Sequence, residues 1–419
     1  MPYLIGGVTA DYNNLIARTP AEFRSLNNID VRTRHRVTAI EPEKRRVLVA
    51  DLAGGENSLV EYTSLLVATG AVAFVPPVEG RDLDGVFPLR VLADALGIMD
   101  YISRETPTRA VVVGAGPIGL EMCEALRRLG MGVTLLEMAE QVMPLIDPEL
   151  ASDVQAVLER EGVTCLLGER LEGIEGAGRA RRVITGSGAV EADLVILGIG
   201  IRPNVGLASE AGVELGARGA IRVDRNLSTN LPGVFAAGDC ATTTNTVTGA
   251  EAWIPLGSTA RKQGRAAGER LSGADTQFPG VQGTSVVKCF DLTVGRTGLT
   301  PSEAEAAGFE PVDTVMEAPS LHEYYPDGGN MHLKLTAEKE TGRLLGAQVV
   351  GEMESGADRR LDVFAMAVRA SLSADDLQYL DLAYAPPYST AVDAAIIAGN
   401  LLSGAVYGKT CGCTPEGLD

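Results

Sequence analysis

Two largely apolar runs stand out near residue 120 of the chain. Ala110–Val113 carries no polar position, which predicts a parallel strand buried on both faces. Three glycines follow, at 114, 116 and 119, then a segment that predicts a helix to about Leu129, and a second apolar run that predicts a strand ending at Glu137. Upstream, LLVATGAVAFVPPVEG reads as an apolar strand, a Thr-Gly turn and a double proline that stops regular structure. Downstream, GVFAAGDC reads as a strand ending at Gly238-Asp239, and IPLGSTARKQGRAAGERL as a helix. Further strands are predicted at HLKLTA and RLLGAQVVG. Near the start, Thr19-Pro20-Ala21-Glu22 predicts a helix with an N-cap and a proline at its first position.

These elements divide the chain into blocks. Residues 1–105 mix short strands with turns, and 106–228 alternate strand and helix as a complete βαβ nucleotide domain does. Residues 229–279 hold the second strand-and-helix segment, 280–405 an α+β region, and 406–419 a tail.

Composition narrows the classes. A chain of 419 residues, 45% hydrophobic and 22% charged, with no long apolar stretch free of Gly, Pro or charge, predicts a soluble multidomain protein that does not span a membrane. Its formal charge of -19 argues against nucleic acid and anionic membranes as partners. An anionic cofactor held by backbone amides stays open. The six cysteines, 123, 165, 240, 289, 411 and 413, show no framework spacing, which predicts reduced thiols in a cytoplasm. Cys411 and Cys413 read as an inert tail, a redox pair being the alternative, and no metal site is expected.

The glycine segment has a mechanism. Gly114 makes the tight turn, Gly116 admits a pyrophosphate to the backbone, Gly119 lets helix and strand pack, and the helix N-terminus attracts the phosphate charge. Glu137, 23 positions after Gly114, stands where a carboxylate accepts both ribose hydroxyls of NADH and repels a 2′-phosphate. Met138 and Ala139 supply no cation for such a phosphate, so NADH is favoured over NADPH. Gly238-Asp239 places a carboxylate at a strand's carboxyl end, where open α/β sheets bind ligands, although a plain strand-to-turn stop gives the same residues.

Taken together, LLVATG, GAGPIGLE, GIRPN, TNLPGVFAAGDC and YAPPYS resemble the flavin-dependent pyridine nucleotide-disulfide oxidoreductases. More narrowly they resemble the branch of CoA-disulfide reductases, NADH oxidases, NADH peroxidases and persulfide reductases, from Met1 to about Leu402. The resemblance implies an α/β fold with two Rossmann-like nucleotide-binding domains, the first truncated, and a C-terminal α+β dimerisation domain. In that branch the segment matching PYLIGG follows a redox cysteine. The resemblance therefore implies that about 30 to 45 residues, the size of one βαβ opening, belong before Met1. They would hold the FAD glycine loop and that cysteine.

By the same resemblance Thr69, Gly70, Gly238 and Asp239 contact FAD, and the helix start at Leu256, Gly257, Ser258 and Thr259 points its amides at the flavin ring. A helix N-terminus there has an independent reason, since it stabilises negative charge on a reduced flavin. Gly200, with Arg202 and Pro203, resembles a second nicotinamide-side turn, or is a plain loop. Glu121 resembles a carboxylate beside the nicotinamide, or is a helix-surface acid. Pro117 stands where relatives often carry an aromatic gate. Tyr325, with Tyr324 as the second choice, and Tyr384 match tyrosines that reach into the partner subunit's disulfide site, interface packing being the other reading. His322 reads as a satisfied surface or interface residue.

The expected enzyme is an FAD-dependent NADH oxidoreductase, a homodimer, reducing a disulfide or persulfide such as CoA disulfide through one cysteine. Oxygen or peroxide reduction is the alternative, and a non-catalytic, dimeric NAD(H)-binding remnant is the reading from another class.

Overall fold

The computed structural model describes residues 1–326 and 328–409. It divides into two compact units, one built from Met1–Gly6, Ala73–Gly200 and the described residues from Gln282 onward, the other from Gly7–Val72 and Ile201–Val281.

In the first unit, Arg109–Val113 forms the centre of a five-stranded parallel sheet. The order is Val86–Pro88, Leu194–Leu197, Arg109–Val113, Gly132–Leu136 and Val163–Leu166. Ala110 to Val113 and Leu194 to Leu197 are buried throughout, as expected of strands covered on both faces. The helix Pro117–Arg128 crosses from the central strand to Gly132–Leu136, and Pro148–Arg160 crosses to Val163–Leu166. Both strands and the helix of the glycine segment thus fall within a residue of where the apolar runs place them.

The rest of this unit is a five-stranded antiparallel sheet in the order Ser285–Cys289, Leu292–Gly298, Leu344–Glu352, Asn330–Glu338, Pro311–Pro319. The predicted strands HLKLTA and RLLGAQVVG are its Asn330–Glu338 and Leu344–Glu352. The helices Ala357–Arg369 and Ala394–Val406 pack on this sheet. A single apolar core carries Leu4, Ile98, Leu120, Leu126, Leu135 and Leu158 together with Val287 and Val294, so the parallel and antiparallel sheets of this unit share one interior.

The second unit contains the parallel pair Leu65–Val67 and Val234–Ala236, a three-stranded antiparallel sheet (His35–Glu41, Arg46–Asp51, Ser58–Glu61) and the helix Gly257–Leu271. Ile40, Val47 and Val49 pack with Val67, Val234 and Ala236. The helix Pro20–Asn27 opens with the predicted cap as a full capping box between Thr19 and Glu22, with Pro20 at its first position. Among the described residues no helix is long and apolar enough to cross a membrane.

Candidate active site: nucleotide cradles and a tyrosine pair

The three glycines of the first cradle have three different steric reasons. Gly114 adopts φ +100°, and a Cβ there would sit 2.7 Å from the Gly198 carbonyl oxygen. A Cβ on Gly119 would lie 1.9 Å from the Gly114 carbonyl oxygen, so helix and turn could not close. Around Gly116 no protein atom lies within 4 Å of a Cβ, so this glycine borders open space on the side a ligand would approach. Gly116 is also the N-cap of the helix Pro117–Arg128 and brings no side-chain cap, leaving the first amides and the positive end of the helix dipole available.

Glu137 ends the second strand with its carboxylate already oriented. Oε2 accepts the Ala115 N–H at 2.7 Å and Oε1 accepts the Ala139 N–H at 2.8 Å. Each oxygen keeps a lone pair for a further donor, as a ribose diol requires. Gly200, at φ +104°, borders open space and accepts the Phe74 N–H through its carbonyl. Glu121 lies one turn into the glycine-loop helix and accepts the Tyr3 hydroxyl at 3.1 Å. Burial raises the Glu121 carboxyl above its ordinary value, and burial with the neighbouring Glu121 pushes the Tyr3 phenol up to about 12. Tyr3 therefore stays a donor. Glu124, on the same helix, is engaged by Lys288 Nζ and the Phe290 N–H.

The second cradle arises from one strand pairing. Leu65–Val67 and Val234–Ala236 run parallel in register, so Thr69-Gly70 and Gly238-Asp239 follow adjacent carboxyl ends. The Ala237 N–H donates to the Val67 carbonyl at 3.1 Å and joins the two turns. Thr69 Oγ1 donates to the Asn204 carbonyl at 2.5 Å, and the Asn204 N–H returns to the Gly70 carbonyl at 2.9 Å. Gly70 and Gly238 take φ of +68° and +84°. Trp253 Nε1–H donates to the Asp239 carbonyl at 2.8 Å.

Gln263, which sequence reasoning missed, ties this turn to the helix Gly257–Leu271. Its Oε1 accepts the Gly238 N–H at 2.8 Å and its Nε2 donates to the Thr242 carbonyl at 3.0 Å, from a fully buried position. The helix starts after Leu256 without a side-chain cap; Gly257 and Ser258 are exposed and Thr259 is buried. Open glycine turns at two strand ends, beside an uncapped 15-residue helix, fit a phosphate-bearing cofactor with an acceptor ring.

A third cluster lies on the antiparallel-sheet region. His322 stacks on Tyr324, with centroids 5.4 Å apart at 12°, and meets Tyr384 edge-on at 6.4 Å. The Tyr324 phenol is shifted upward, by desolvation first and by the neighbouring Tyr384 next. Tyr324 is 71% exposed and Tyr384 48%, an unusual outlay of aromatic surface. Tyr325 stands beside them, half-buried, its N–H donating to the His322 carbonyl at 2.8 Å. The structure thus joins Tyr384 to Tyr324 and His322, with Tyr325 adjacent.

Burial raises the thiols of Cys123, Cys165 and Cys289, Cys165 to about 11 and Cys289 to about 12, so none of the three is a nucleophilic thiolate at neutral pH. Cys411 and Cys413 lie outside the described residues. Among the described residues no group of His, Cys, Asp and Glu is placed to hold a metal.

Residues 3–264 match the family model of the pyridine nucleotide-disulphide oxidoreductases, and residues 284–396 match that family's dimerisation domain. A NADH oxidase of Methanocaldococcus jannaschii is 36% identical over 93% of this chain and 86% of its own length. A CoA-dependent NAD(P)H sulfur oxidoreductase of Pyrococcus furiosus is 37% identical over 96% of this chain and 89% of its own. Among solved structures, a NAD-dependent persulfide reductase from A. fulgidus superimposes with a TM-score of 0.95 at 37% identity, covering 100% of this chain and 78% of that one.

Proposed function

The chain belongs to the pyridine nucleotide-disulphide oxidoreductases, enzymes that use FAD and a nicotinamide nucleotide, and from that premise we propose that it is a homodimeric, NADH-dependent reductase of CoA disulfide or a CoA persulfide. The observation that carries the choice of a sulfur substrate is the pair of exposed tyrosines, Tyr324 and Tyr384, gathered on the His322 ring. Cleaving a disulfide releases a thiolate, and a phenol held at its donor oxygen is suited to protonate it. The similarity to a CoA-dependent sulfur oxidoreductase and to a persulfide reductase points the same way.

When bound, a nicotinamide nucleotide would supply hydride chemistry and FAD the relay of an electron pair. The overall balance is NADH, one proton and RSSR giving NAD⁺ and two RSH. The amides around Gly116 would hold a pyrophosphate, and Glu137 would accept ribose hydroxyls and disfavour NADPH. Glu121 and Gly200 would serve the nicotinamide end. Thr69, Gly70, Gly238 and Asp239 would hold FAD, and the uncapped amides after Leu256 would stabilise negative charge on it. Tyr384, with Tyr324 rather than Tyr325, keeps a hydroxyl proton ready for the leaving thiolate. The division into residues 1–105 and 229–279 for FAD, 106–228 for NADH and 280–405 for dimerisation belongs to the same reading.

Reduction of oxygen or peroxide is the second reading, supported by similarity to a NADH oxidase. Comparing kcat/KM for CoA disulfide, CoA persulfide, oxygen and hydrogen peroxide tests the choice. The proposal expects a sulfur acceptor to lead by at least about tenfold, the equivalent of about 1.4 kcal/mol. Oxygen leading would sink it.

A further inference from the structure

We propose that His322 is a positioning residue that sets the Tyr324–Tyr384 pair by tying the two tyrosine-bearing loops together. The catalytic part of this inference rests on the reductase reading above; the tie itself rests on geometry alone.

Each loop is fastened independently at its foot. The 320–329 loop is closed by Ser320, whose N–H donates to the Gly329 carbonyl at 2.8 Å while its Oγ accepts the Gly329 N–H at 3.0 Å. The 384–393 loop is closed by a buried network. Arg360 Nη2 donates to Asp393 Oδ2 at 2.7 Å, Ser389 Oγ donates to the same oxygen at 2.6 Å, and Asp393 Oδ1 caps the following helix through the Ala395 N–H at 2.9 Å. Tyr324 and Tyr384 themselves stay exposed.

His322 reaches across. Its carbonyl accepts the Tyr325 N–H and shapes its own loop, while its Nε2 accepts the Ala391 N–H of the other loop at 3.2 Å. One ring therefore makes a stacked contact with Tyr324, an edge contact with Tyr384 and a hydrogen bond to the backbone seven residues beyond Tyr384. Long exposed side chains seldom hold one geometry unless a neighbour restricts them, because ordering them loses rotamer entropy. His322 is that restriction, and it holds the two tyrosine rings beside one another.

The test is ¹³Cζ-tyrosine NMR on the intact dimer across pH, with signals assigned by Tyr324→Phe and Tyr384→Phe. In His322→Ala the Tyr324 phenol is expected to titrate where it does in Tyr384→Phe, because the pair has come apart. His322→Gln, which keeps an acceptor for the Ala391 N–H but loses the ring stack, is expected between that and the wild type. Tyr324 titrating in His322→Ala where it does in the wild type overturns the proposal. With CoA disulfide as substrate, His322→Ala should lower kcat on the order of 10- to 100-fold with KM for NADH unchanged, the cost of a donor displaced from its working position. A wild-type enzyme that does not turn over CoA disulfide refutes the reductase reading, while the tyrosine titration still decides the tie.

Discussion

Glu137 Oε2 accepts the Ala115 N–H at 2.7 Å, so the acid at the end of the second strand is bound to the glycine turn. A carboxylate held this way has little freedom to turn from a 2′-phosphate. Glu137→Ala is expected to weaken NADH binding roughly tenfold, about 1.4 kcal/mol, and to narrow the preference over NADPH. Fluorescence titration with both nucleotides measures it; an unchanged NADH-to-NADPH ratio would contradict the assignment.

Gly116 and Gly119 separate binding from folding. Gly119→Ala drives a Cβ to 1.9 Å from the Gly114 carbonyl oxygen and should destabilise the unit by about 1–3 kcal/mol, lowering Tm. Gly116→Ala meets no protein atom within 4 Å, so its Tm should match the wild type while NADH affinity falls. Thermal melts with and without NADH distinguish the two variants, and a stability loss in Gly116→Ala would show that this glycine serves packing.

How much of this was legible follows from distance along the chain. The glycine turn is specified within six residues by backbone sterics, and the Thr19–Glu22 capping box within four, so both could be read directly. Thr69-Gly70 and Gly238-Asp239 were visible as turns, but their adjacency depends on a parallel pairing of strands about 170 residues apart, which no local pattern encodes. Gln263 was missed for the same reason, and His322 was read as a satisfied surface or interface residue without its partner. Each acts on a backbone N–H distant in sequence, Gly238 and Ala391. A lone polar residue buried on the apolar side of a predicted helix was the one available signal for Gln263.

At the opposite ends of the parallel strands, Arg109 and the Thr108 N–H and hydroxyl hold Asp193, whose carboxyl drops from the ordinary 3.8 to about 2. A folded value below the unfolded one gives stability that is present at neutral pH and lost as pH falls from about 4 through about 2. Asp193→Asn should therefore cost about 1–2 kcal/mol at pH 7, with the gap to the wild type closing towards pH 2. Denaturant unfolding at both pH values tests it, and a gap independent of pH would argue that shape rather than charge is lost.

Lys334 is buried on the antiparallel sheet against Asp147, Glu149 and Asp313, with Nζ 2.8 Å from the first two. Asp147 precedes the helix Pro148–Arg160, so the lysine ties the parallel-sheet half of the unit to the antiparallel sheet. Lys334→Met leaves three carboxylates facing one another and should lower stability by about 3 kcal/mol or more, measured by denaturant unfolding. A loss below about 1 kcal/mol would mean that solvent already screens them.

The central claim is that electrons from NADH leave on sulfur. Anaerobic turnover of CoA disulfide by the flavin-loaded enzyme purified from its native source tests it most directly, counting thiols released against NADH consumed. The account predicts two thiols per NADH, with turnover falling in Tyr384→Phe. NADH consumed only when oxygen is admitted, with no thiol released, would contradict it.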